Sequence, residues 1–193
     1  MPTQLRMEGL FETMVSPAPV HDQDSPSEDL WVNLDPDMVC RDPLLLELHK
    51  YWDSKRNGRK FPSRRDIDPA EIPRHLGNVF LIDVSHEPLR LRYRLLGTRI
   101  TDVMRRDSTG KFYDEIYAPD LLEAIYRSFH WMFENGQPLR THGESYYPDR
   151  NFYTYEALNL PLSADGETID LVFGGLVFHP KIPPRPDSVL DQR

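Results

Sequence analysis

The segment Leu89-Arg90-Leu91-Arg92-Tyr93-Arg94-Leu95 alternates apolar and basic residues with a period of two. Successive strand side chains point to opposite faces, so this pattern describes a strand with one buried face and one wet face. Such half-wet strands belong to antiparallel sheets, because parallel strands are covered on both sides. A short apolar run, Val79-Phe80-Leu81-Ile82-Asp83-Val84, precedes it, and Ser85-His86-Glu87-Pro88 between the two reads as a hairpin turn.

The flanking segments fix the class. Asp42-Pro43 starts a helix, with an acceptor at the cap and proline in the first turn, that runs to about Arg56. Leu44, Leu45, Leu48, Tyr51 and Trp52 make its apolar stripe. Asp68-Pro69-Ala70-Glu71 has the residues of a capping box and predicts a single helical turn. Gly97 ends the alternating strand, and Ile100, Val103 and Met104 predict a short helix ending at Arg105-Arg106. Asp107-Ser108-Thr109-Gly110 reads as the turn after it, with Asp107 bonding local backbone and Gly110 supplying an unusual backbone angle. Pro119 opens and Gly136 closes a long helix with Leu122, Ile125, Phe129 and Met132 on one face. Strand candidates at 139–147, 152–162 and 168–178 follow, joined by turns of hairpin length. The expectation is an α+β layer: an antiparallel sheet whose helices are inserted between its second and third strands.

Charge divides the chain. The formal net charge is −8, but residues 1–40 hold eight of the 31 acidic side chains and one of the 23 basic ones. That stretch carries −7 and leaves −1 for the rest. It is also proline-containing and low in hydrophobicity, so residues 1–41 are expected to form a disordered acidic arm. The domain is expected over 42–180, with a proline-rich tail over 181–193. Apolar runs such as Leu171 to Phe178 fall far short of the ~20 residues that span a bilayer. The start lacks the features of a secretory leader, and a single cysteine, Cys40, excludes an internal disulfide and any cysteine-rich zinc module. A cytoplasmic location is the expectation.

Catalytic signatures are missing: no phosphate loop, dinucleotide fingerprint, nucleophile elbow or zinc helix occurs. The seven histidines show no metal-ligand spacing, so neither a catalytic nor a metal site is expected. Basic residues crowd 55–65 and 90–106, yet they interleave with Asp53, Asp66, Asp68 and Glu71. A solvated face laced with ion pairs is expected there, rather than a nucleic-acid surface. The acidic arm is a candidate occupant of those segments.

Four motifs in combination carry a family resemblance: Phe61-Pro62-Ser63-Arg64-Arg65-Asp66-Ile67-Asp68-Pro69, Leu81-Ile82-Asp83-Val84, Tyr93-Arg94-Leu95-Leu96-Gly97-Thr98, and Asp107-Ser108-Thr109-Gly110-Lys111. Over about 42–180 the chain resembles a PAS-domain subgroup found mainly in alphaproteobacteria, often as single-domain proteins. The resemblance implies a five-stranded antiparallel sheet with helices over one face and an extra N-terminal helix. It implies a non-catalytic sensory or interaction module that regulates a partner signalling protein, with a two-component sensor kinase as the candidate. No output domain is expected after Phe178.

In such domains the space between sheet and helices can take haem, flavin or a small metabolite. The flavin-photosensor loop has no counterpart here, and haem would rest on His130 or His142 alone, so no cofactor is assigned. Phe129, Met132, His142 and Tyr155 are the candidate ligand-binding residues, since they fall on the helix and strands expected to enclose a cavity. Leu44, Leu48, Tyr51 and Trp52 are the candidate partner or homodimer surface. The alternative function is a small-molecule-binding protein or enzyme with a cone-like α+β fold, which predicts an acid beside a base such as His142.

Overall fold

The computed structural model describes residues 33–145 and 153–180. A six-stranded antiparallel sheet runs in the spatial order β1 (Asn33–Asp35), β4 (Leu139–Ser145), β5 (Tyr153–Leu162), β6 (Leu171–Pro180), β2 (Val79–His86), β3 (Leu89–Leu96). Three helices accompany it: α1 (Pro43–Arg56), α2 (Thr98–Met104) and α3 (Pro119–Asn135). The expected α+β fold is thus observed, with α2 and α3 inserted between the β2–β3 hairpin and the β4–β5–β6 meander. The last strand closes onto β2, which places the hairpin beside the meander.

One strand was not expected. The sheet has six strands instead of five, and the extra one, β1, comes from residues that the sequence reading assigns to the acidic arm. It pairs with β4, Asp35 opposite Arg140 and Asn33 opposite His142. Buried charge explains the pairing. Arg140 donates from Nη1 to Asp35 Oδ2 at 2.7 Å and from Nε to Glu156 Oε1 at 2.8 Å, and the Arg41 amide adds a third bond, to Glu156 at 2.8 Å. A guanidinium inside a sheet needs carboxylates, and the arm supplies one of them. Residues 1–32 and 181–193, and with them most of the arm and the tail, lie outside the described residues, as do Tyr146 to Phe152.

Local chemistry agrees with the sequence at most boundaries. Asp42 Oδ1 accepts from the Leu44 amide at 2.8 Å and caps α1. Asp68 does the same for Ala70 at 2.9 Å and starts the single turn Pro69–Glu71. Gly136 closes α3 in the left-handed region, φ 59°, its amide donating to Met132 O. Asp107 Oδ1 accepts from the Thr109 amide at 2.9 Å, and Gly110 takes φ 83°. The turn then lies along β3: Gly110 N donates to Tyr93 O, and Tyr93 N to Lys111 O. An otherwise open sheet edge is covered in this way.

Adjacent glycines in β6 serve opposite faces of the sheet. A Cβ on Gly175 would stand 2.6 Å from Leu48 Cδ1 and 2.7 Å from Leu45 Cδ2, so α1 lies directly on the strand backbone. A Cβ on Gly174 would stand 2.2 Å from Phe80 Cζ and 2.3 Å from Leu158 O, on the side of α3. The sheet is therefore covered twice. Trp52 is buried beneath α1, its indole N–H donating to Pro161 O at 2.9 Å. Burying Leu45, Leu48 and Trp52 is worth roughly 1.5–3 kcal/mol each before entropy is subtracted.

Candidate functional site: a tyrosine-lined cavity under the connecting helix

Between the sheet and α3 lies a cavity of about 120 Å³. Its sheet wall is built by alternation: Tyr155, Ala157 and Asn159 of β5 point into it, and Glu156 and Leu158 point away. Phe80, Ile82, Leu176 and Phe178 extend that wall, and Ile125, Ser128 and Phe129 of α3 form the roof. Apolar positions spaced three and four apart on α3 explain why these side chains share one face.

A cluster of tyrosines closes one side. Tyr93 of β3 and Tyr117 share a hydroxyl–hydroxyl hydrogen bond of 2.6 Å. The rings of Tyr93 and Tyr113 lie tilted against each other with centroids 4.4 Å apart, and Tyr113 meets Tyr117 edge-on at 5.2 Å. Burial pushes the Tyr93 and Tyr113 hydroxyls well above the ordinary phenol range, and the same cause raises Tyr155. All three are neutral hydrogen-bonding groups at physiological pH.

The lining contains one charged side chain, Arg106, and no carboxylate, histidine or cysteine. Arg105 ends α2 in the left-handed conformation, φ 53°, and the reversal sets the Arg106 guanidinium 5.8 Å from the Tyr117 ring centroid. Five other arginines of the two basic segments are ion-paired, Arg90 with Asp114, Arg92 and Arg94 with Asp83, Arg56 with Asp53 and Arg59 with Asp66, whereas Arg64, Arg65, Arg99 and Arg105 form no ion pair among the described residues. Arg106 has no carboxylate partner among the described residues.

The sequence-predicted residues are only partly brought together. Phe129 and Tyr155 line the cavity. Met132 is buried in the core behind the roof and is not among the lining residues. His142 lies on the other face: its neighbour Thr141 lines the cavity, and strand alternation turns His142 toward the side of Arg140 and Glu156. An acid does stand beside it, since Glu156 is its register partner, but that carboxylate is held by Arg140 and the Arg41 amide outside the cavity. His130 is exposed on α3.

Of the α1 stripe, Leu48 and Trp52 are 0% and 2% exposed against their own sheet, and Leu44 and Tyr51 are half-buried beside them. A partner would reach the last two only. Cys40 is half-buried, its thiol pushed up to about 11 by burial and by the Glu156 carboxylate, which removes it as a nucleophile at neutral pH. Among the described residues no group of three potential ligands could hold a metal ion, and no helix is long and apolar enough to cross a membrane.

Sequence reasoning missed Arg106, Thr141 and Asn159. In the sequence Arg106 stood only as one member of a basic segment, because its placement depends on the left-handed turn at Arg105.

Sheet, connecting helix and the cavity between them define an α+β domain built around a small site. The PAS-domain family model matches residues 41–177, more than two-thirds of the chain, and the chain belongs to that family. No curated protein matches it. PAS domains are generally sensory or interaction modules, and most are non-catalytic.

Proposed function

We propose that this PAS domain is a non-catalytic cytoplasmic sensor of the single-domain alphaproteobacterial kind. It regulates a partner signalling protein, a two-component kinase, according to whether a small ligand occupies the cavity under α3. The observation that carries the reading is the cavity's chemistry: apolar walls, neutral hydroxyls and one cation suit binding, and the lining holds no carboxylate, histidine or cysteine to activate its Ser128 or Thr141 hydroxyl for turnover. The α1 surface, including Leu44 and Tyr51 at its margin, is the place for a partner or a second copy, because it covers the sheet face behind the cavity.

The test is to titrate the full chain into each purified sensor kinase of the source organism while following autophosphorylation. A saturable change in rate for at least one kinase is expected. No effect on any of them refutes regulation of a kinase.

A further inference from the structure

Charge and space in the cavity restrict what it can hold. Arg106 is its single charged group, exposed at the rim and free of any carboxylate among the described residues. Deeper in, Thr141 is 7% exposed, lines the cavity, and has no hydrogen-bond partner for its hydroxyl among the described residues. Thr141 thus offers the cavity a polar group that a solute's own polar atoms can meet. Ile125, Phe129, Ala157 and Leu176 are among the apolar side chains that line the same cavity.

Size narrows the choice. About 120 Å³ is close to the ~150 Å³ cavity that holds one benzene, and well below the ~300–1,000 Å³ of sites for drug-sized ligands. One cation balances one negative charge. A planar guanidinium fork matches a planar carboxylate.

We infer that the cavity binds a compact monocarboxylate with an apolar body about the size of one ring, its carboxylate on Arg106 and its body between Phe129 and Ala157. This rests on the sensory reading above and names the ligand class that the sensor takes.

The probes are sodium benzoate and its neutral counterpart of matched size, benzyl alcohol, titrated into the full chain by calorimetry and ligand-observed NMR. Benzoate is expected to bind about tenfold more tightly than benzyl alcohol, the range of one charge-assisted hydrogen bond. In Arg106→Gln that preference disappears while benzyl alcohol binding is kept. Arg106 is exposed, so the variant folds, and circular dichroism checks this. Equal affinity of the two probes, or benzoate binding indifferent to Arg106→Gln, overturns the monocarboxylate assignment and leaves the ligand-sensing reading standing. No binding of either probe marks a solvent-filled cavity only, and overturns the inference together with the ligand part of the proposed function. Kinase regulation is scored separately by the autophosphorylation assay.

Discussion

Replacing Arg140 by methionine removes the cation from a cluster that is almost dry. The Arg140 and Glu156 side chains are 7% and 6% exposed, and Asp35 is 15% exposed. Glu156 keeps one bond, from the Arg41 amide, and Asp35 keeps one, from the Val39 amide at 3.1 Å. Both carboxylates lose their counter-ion. Breaking a buried pair from one side costs about 3–5 kcal/mol, because a charge stays behind without compensation. For a chain of this size each kcal/mol lowers Tm by roughly 2–4 °C, so a fall of about 6–20 °C is expected. Urea unfolding followed by circular dichroism measures it, with an essentially unchanged m-value. Hydrogen exchange across 33–35 should accelerate together with the loss, since Asp35 is the residue that fastens β1. The double variant Arg140→Met, Glu156→Leu should recover more than half of the lost stability, because the more deeply buried carboxylate is then gone too. A loss below about 1 kcal/mol for Arg140→Met would refute the claim that this cluster holds the sixth strand.

Two further perturbations probe the sheet and the cavity wall. Gly174→Ala is expected to cost more than Gly175→Ala in the same urea assay. The new methyl meets backbone oxygen Leu158 O at 2.3 Å in the first case and only the ends of Leu48 and Leu45 in the second. Overpacking of the milder kind costs about 1–3 kcal/mol, and the reverse order of the two variants would refute the placement of α1 and Phe80 on opposite faces. Alkaline titration reads the buried tyrosines. Tyr93, Tyr113 and Tyr155 are raised by burial, so above the ordinary phenol value near ~10 the unfolded chain releases protons that the folded chain retains. Stability is therefore full below that pH and declines as pH rises through it. Phenolate absorbance at 295 nm should leave these three un-ionised until the chain unfolds; reversible ionisation of the whole set in the folded state near pH ~10 would contradict the packing.

Most of the fold was legible because the boundaries are set by local chemistry. Asp42, Asp68, Asp107, Gly110 and Gly136 each act within a few residues of themselves, and alternation over 89–93 does not depend on distant partners; it fails at Leu95, 41% exposed, where an irregularity shifts the β2–β3 register. The sixth strand is different. Asn33-Leu34-Asp35 is three residues long, has no periodicity and sits in an acidic stretch, and its anchor, Arg140, lies 105 residues further along the chain. A buried guanidinium calling in a carboxylate from that distance leaves no trace in a window of neighbouring residues. The arginines of the alternating strand were easier, since their carboxylates, Asp83 and Asp114, stand in the adjoining hairpin strand and in the segment that packs on β3.

The site was harder to read than the fold for one physical reason: the strands that build it are covered on both faces. From Tyr155 to Leu162 every residue of β5 is buried, because α1 packs on one side of the sheet and α3 on the other. A half-wet strand announces its inner face by hydropathy, as β3 does. A doubly covered strand does not, and the parity of β4 then had to be chosen without a signal. Arg140 and Thr141 are adjacent, on opposite faces and equally buried, at 6% and 7%. Choosing His142 for the cavity followed from its chemistry, but the pleat gives that face to Thr141. Phe129 and Tyr155 do line the cavity, because helical spacing and an aromatic ring on β5 constrain them independently of β4. Arg106 escaped for the complementary reason: its position depends on a backbone reversal at Arg105, in a left-handed conformation that a residue other than glycine rarely adopts and that no propensity scale predicts for arginine.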